Sequence, residues 1–104
     1  MQSDEQLIAQ LKNGQNLALE QIIDVYSGYV ATIVRQIGGQ ALTTSDVEEI
    51  IADVFIALWS SAKRLQDASR LKPYLAAIAR NKTRDRLRRQ GQFTAPLEEE
   101  LLTC

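Results

Sequence analysis

The chain has 104 residues, with 12 Lys plus Arg against 13 Asp plus Glu, no His and one Cys. That length suits one domain with one hydrophobic core, and without His, and with its lone Cys at 104, the chain has no imidazole or thiolate metal site, no His-based catalytic dyad and no internal disulfide, so no cofactor is implied. The apolar runs read as too short to span a bilayer and no signal-peptide pattern opens the chain, so a cytoplasmic setting without membrane insertion is expected.

Ser3 followed by Gln6 reads as a capping box, after which Leu7, Ile8 and Leu11 form a short helix ending near Gly14. Asn16 is placed to cap a second helix. There Leu19, Ile22, Ile23, Tyr26, Val30, Ile33, Val34 and Ile37 recur at helical spacing until Gly38-Gly39 stops it. Gly28, inside this helix, suggests a close helix–helix approach.

Residues 40–44 read as a polar turn, and Ser45 with Glu48 as a second capping box. Val47, Ile50, Ile51, Val54, Phe55 and Leu58 then repeat with helical spacing and define the most regular amphipathic helix of the chain. Its other side carries an acidic row, Asp46, Glu49 and Asp53. Such a row is usually a solvated face, but it also suits docking on a basic protein surface. Trp59, at the end of the helix, reads as a core residue.

A polar connection, roughly residues 60–70, leads to a last helix opening near Leu71 with Pro73 in its first turn. Leu71, Tyr74, Leu75 and Ile78 supply its core stripe, which fades after Ala79 into cations, and Gly91 ends it. With no period-2 run long enough for a strand, the expected fold is all-α, a compact bundle of four helices.

The net charge of −1 hides a strong asymmetry. Residues 1–62 hold two basic residues against eight acidic ones, a balance of −6, whereas residues 63–89 hold ten basic against two acidic, a balance of +8. Arg80, Lys82, Arg84, Arg86, Arg88 and Arg89 fall within ten residues, more than the negative end of a helix dipole accommodates. They point to a polyanionic partner. Asn81, Arg84 and Arg88 share one face, and the Asn81 amide offers both a donor and an acceptor to a base edge. Asp85 reads as a local partner of Arg88 or Arg89. With no nucleophile–base pair and no glycine-rich phosphate loop, an enzyme is not expected.

The segment Asp46–Trp59 resembles the region 2.2 helix of bacterial sigma factors, and Leu71–Arg89, with an aromatic-Leu pair before Ile78-Ala79-Arg80-Asn81, is similar to regions 2.3 and 2.4 of the extracytoplasmic-function group. The stretch from Asp4 to Tyr26 resembles the opening of the same domain, so the likeness covers nearly all of residues 4–90. The resemblance implies a transcription initiation domain with two partners. Asp46, Glu49, Asp53 and Ile56 would bind the clamp helices of the largest subunit of core RNA polymerase.

The loop Lys63, Arg64, Leu65, Gln66, Asp67, Ala68 and Ser69, with Tyr74 behind it, would take a base flipped from the single-stranded non-template minus-ten element of the promoter. Asn81 would read a base, while Arg80, Lys82, Arg84, Arg88 and Arg89 would hold phosphates. An anti-sigma protein is a further candidate partner. The chain departs from the family pattern at Ala52, where Gln is usual, at Tyr74, where Trp is common, and at Leu65, where an aromatic residue is common. On this reading residues 1–90 are the region 2 domain, residues 91–104 are linker, and the family's second, region 4, domain is absent. A helix-turn-helix regulator of duplex DNA and an all-α protein-interaction module are the alternatives.

Overall fold

Local chemistry sets the first helix. In the computed structural model, which describes residues 2–91, α1 (Asp4–Lys12) begins at Ser3 with a reciprocal capping box. The Gln6 backbone N–H donates to Ser3 Oγ at 3.2 Å, and the Ser3 N–H donates to Gln6 Oε1 at 3.0 Å. Leu7, Ile8 and Leu11 turn inward from it.

The long helix α2 (Asn16–Gly38) follows. Its N-cap is Gln15, which makes no side-chain cap bond, and Asn16 is already helical; the expected Asn16 cap is therefore corrected. The helix stops at Gly39, whose φ of 53° lies in the left-handed region that glycine enters at little cost. Gly28 has open space where a Cβ would project, so the close approach expected there does not exist. It occurs instead at Gly38, where a Cβ would collide with the Leu42 side chain. The turn after α2 is likewise less polar than expected. A single 3₁₀ turn, Gly39–Ala41, hands the chain to Leu42, which is buried.

Helix α3 (Thr44–Ser61) starts two residues earlier than the expected Ser45–Glu48 box implies. Thr43 and Asp46 form the box, with Asp46 N–H donating to Thr43 Oγ1 at 3.0 Å and Thr43 N–H to Asp46 Oδ2 at 2.9 Å. Two short 3₁₀ turns, Ala62–Arg64 and Ala68–Arg70, bridge to α4 (Leu71–Arg89). The apolar stripe of α4 does not fade at Ala79. It continues through buried Thr83 and Leu87, so the basic half of the helix is packed on one side. The Thr83 hydroxyl meets its burial requirement by donating to the Ala79 carbonyl at 2.7 Å.

The described residues form four α-helices and short 3₁₀ turns, with no strand, as the sequence predicts. Helix α2 is central, packing against α1, α3 and α4, while α3 and α4 also pack against each other. Leu58, Leu71 and Leu75 are sealed at the middle of the core, each contributing about 1.5–3 kcal/mol of burial. Asn16–Ala41 is, by length and composition, apolar enough to cross a membrane, contrary to the sequence expectation. Its inner positions, Ile22, Val30 and Val34, are sealed within the bundle, while Leu17 and Val25 are exposed. The expected linker, residues 91–104, lies outside the described residues from position 92 on, as do Glu98, Glu99 and Glu100.

Candidate nucleic-acid and protein interfaces

Helix α4 presents its cations on the sides left free by the stripe Leu75, Ala79, Thr83 and Leu87. Arg80, Asn81, Arg88 and Arg89 are exposed, with Lys82 and Arg84 half-buried between them. Asp85 sits within this row, and Arg88 Nη1 donates to its Oδ1 at 3.4 Å, the local pairing expected from the spacing. The surface thus combines one neutral amide with a run of cations.

The loop before α4 contributes unevenly. Lys63, Arg64, Gln66, Asp67 and Ser69 are exposed and Ala68 is half-buried. Leu65, at 6% exposure, belongs to the core, so its side chain anchors the loop rather than facing a base. Asp67 organises the next turn. Its Oδ1 accepts from the Ser69 backbone at 3.0 Å and from the Ser69 hydroxyl at 2.7 Å. These bonds, the hydroxyl foremost, with Arg70 nearby, hold the Asp67 carboxyl below its ordinary range. Tyr74 is half-buried behind the loop, and its hydroxyl donates to Ser61 Oγ, which donates in turn to the Ala57 carbonyl at 2.7 Å. Near the start of α4, the Lys72 ammonium stands 4.8 Å from the centre of the Tyr29 ring, a cation–π contact that ties α4 to α2.

The acidic row of α3 is not uniformly solvated. Arg86 reaches from α4 to donate to Asp46 Oδ1 at 3.0 Å and to Glu49 Oε2 at 3.2 Å. Its side chain is only 15% exposed, whereas Glu49 remains 63% exposed. Asp46 carries two duties at once, capping α3 with Oδ2 and meeting Arg86 with Oδ1. The Thr43 backbone bond, and then side-chain bonds from Thr43 and Gln90 and the Arg86 charge, draw its carboxyl below the ordinary range against some desolvation. Asp53 is exposed and lines a groove of about 590 Å³ between α3 and α4, with Lys82, Arg86 and Arg89 on the opposite wall.

Ile56 is 57% exposed, beside an apolar groove of about 370 Å³ formed with Leu19, Ile23, Ile51, Ala52 and Phe55. Trp59 is 48% exposed, which overturns its core assignment. It stands one helical turn from Ile56 and lines a cleft with Lys12, Asn13 and Lys63. Aromatic character alone did not distinguish core from surface here. The register did: Trp59 follows Leu58, which occupies the last inward position of α3. Arg86 is likewise absent from the expected site residues, and its signal is positional. It lies three residues after buried Thr83 and beside buried Leu87, at the edge of the inward stripe.

The fold and these surfaces define an all-α bundle with a cationic helix-and-loop face beside a separate acidic helix. Among the described residues no group of three or more acidic, Cys or His side chains is arranged to hold a metal. Residues 22–93 match the family Sigma-70 region 2. The chain is also 33% identical over 89 residues to the RNA polymerase sigma factor NccH of Alcaligenes xylosoxydans xylosoxydans, covering 86% of this chain and 46% of that protein. The chain thus spans about half the length of this curated relative. No solved structure matches significantly. The chain belongs to the sigma-70 region 2 family, and the resemblance drawn from the α3 and α4 motifs is borne out at that level.

Proposed function

We propose that this chain is the promoter-opening domain of an extracytoplasmic-function sigma factor, acting in the bacterial cytoplasm as a non-catalytic transcription initiation factor. Residues 1–90 are the region 2 domain, and 91–104 are the linker that follows it. The carrying observation is that an exposed run of cations on α4 and an acidic row on α3 lie side by side on one small bundle within this family match. Asp53, the exposed part of Glu49 and Ile56 dock on the clamp helices of core RNA polymerase. Asp46 supports that surface from its half-buried position.

Lys63, Arg64, Gln66, Asp67, Ala68 and Ser69 form the loop that receives a flipped non-template base, with Leu65 as its buried anchor and Tyr74 as its backing. A turn held by Asp67 and Ser69 suits this role, because a preordered loop loses little entropy on capturing the base. Asn81 reads a base edge, and Arg80, Lys82, Arg84, Arg88 and Arg89 follow the phosphates.

Fluorescence anisotropy with labelled promoter oligonucleotides tests this reading. The single-stranded non-template strand is expected to bind more tightly than matched duplex, with affinity falling as salt rises. Asn81→Ala should erase roughly 1–3 kcal/mol of base discrimination, whereas Arg84→Ala should weaken all sequences alike. Tighter binding to duplex would favour a duplex-reading regulator, and unchanged base preference in Asn81→Ala would remove Asn81 from the readout.

A further inference from the structure

We propose that the cleft around Trp59 is a second nucleotide subsite, where a base of a single strand stacks on the indole while Lys12 and Lys63 hold its phosphates. The inference rests on the reading of the adjoining loop as a single-strand surface. Trp59 leaves 48% of its surface open at the end of α3, and its indole N–H makes no hydrogen bond among the described residues. The cleft it lines, of about 470 Å³, takes Lys12 and Asn13 from the end of α1, Ser60 from beside the ring and Lys63 from the following 3₁₀ turn. Among the described residues neither lysine has an ion-pair partner, and no acid lines the cleft.

Two unpaired cations beside one open aromatic ring select the ligand class. A base offers a flat π face to the indole, and its phosphates supply the negative charge that the two ammonium groups lack. The partner proposed for the α3 acids presents a basic surface, which Lys12 and Lys63 would repel. Trp59 also lies off the acidic row. Six residues past Asp53, it stands about 120° around the helix from that acid. Lys12 joins the cleft to the loop, because it also lines a neighbouring cleft of about 380 Å³ with Gln66, Asp67 and Ala68. That neighbour has mixed charge, with Glu5 and Asp67 on its walls, whereas the charged side chains of the Trp59 cleft are all cations. A strand that leaves the loop past Lys12 enters the Trp59 cleft.

Trp59 is the single tryptophan of the chain, so its emission reports on this cleft alone. The test titrates the whole chain with short oligodeoxythymidines at low salt, reading indole emission and, with a labelled strand, anisotropy. Stacking predicts quenching along the same curve that anisotropy follows. Trp59→Ala should weaken binding by about five- to a hundredfold, and Trp59→Phe should recover most of that loss. Lys12→Gln should lower the slope of log affinity against log salt by about 0.7, one phosphate's share for a single strand. Binding with unchanged emission, an unaltered slope in Lys12→Gln, or full affinity in Trp59→Ala would overturn the subsite while leaving the loop and α4 surface standing. Loss of co-purification with core RNA polymerase in Trp59→Ala, with oligonucleotide affinity intact, would overturn it in favour of a protein contact. Should Trp59→Ala not fold, the emission and the Lys12→Gln slope decide. Failure of the unaltered chain to bind the oligonucleotide would overturn the surface assignment and the subsite with it.

Discussion

Asp46 divides its two carboxylate oxygens between the start of α3 and the side of α4, so one residue both begins a helix and fixes its neighbour. Because its folded carboxyl titrates below the ordinary range, its contribution is present above that range and is lost as pH falls through it. Tyr26 behaves in the opposite sense. Burial, and then the hydrogen bond its hydroxyl donates to Asp4 at 2.6 Å with the nearby carboxylate charge, push its phenol up to about 12 from 10.0. The neutral phenol is favoured in the folded chain, so this contribution is complete below pH 10 and is lost as pH rises through 10 toward 12. In an alkaline absorbance titration, the Tyr26 phenol should ionise at about 12, and Asp4→Asn should bring it back toward 10.0. An alkaline titration left unchanged by Asp4→Asn would contradict the assignment. None of this was legible beforehand, because Asp4 and Tyr26 meet only once α1 folds back on α2.

Periodicity made the helices themselves legible, since each has to bury one apolar stripe. Their ends were harder to read. The run Thr43-Thr44-Ser45-Asp46 offers overlapping capping boxes, and sequence spacing selected Ser45. The structure selects Thr43, which lets Asp46 serve the cap and Arg86 together. The same limit hid Trp59, because an aromatic residue just past a buried leucine continues either the core or the surface depending on register. Adjacent substitutions separate these cases. Leu58→Ala should cost about 2–5 kcal/mol through cavity formation, whereas Trp59→Ala should cost about 1 kcal/mol or less. Chemical denaturation followed by circular dichroism reads both. Comparable losses at the two positions would return Trp59 to the core.

Across the whole molecule, a net charge of −1 resolves into an acidic balance over residues 1–62 and a basic balance over residues 63–89. Charge counting found the cationic block, and the family likeness supplied the partner proposed for it. Neither showed that Arg86 leaves that block to pair with α3, since the pairing depends on how two helices distant in sequence are set against each other. The central claim is that α3 docks on polymerase while α4 handles DNA. Co-purification of the chain with core RNA polymerase, compared with its Asp53→Lys variant, tests it most directly. The account predicts a stable complex for the unaltered chain and its loss in Asp53→Lys, with oligonucleotide binding by the variant retained. No complex with the unaltered chain, or a complex indifferent to Asp53→Lys, would contradict it.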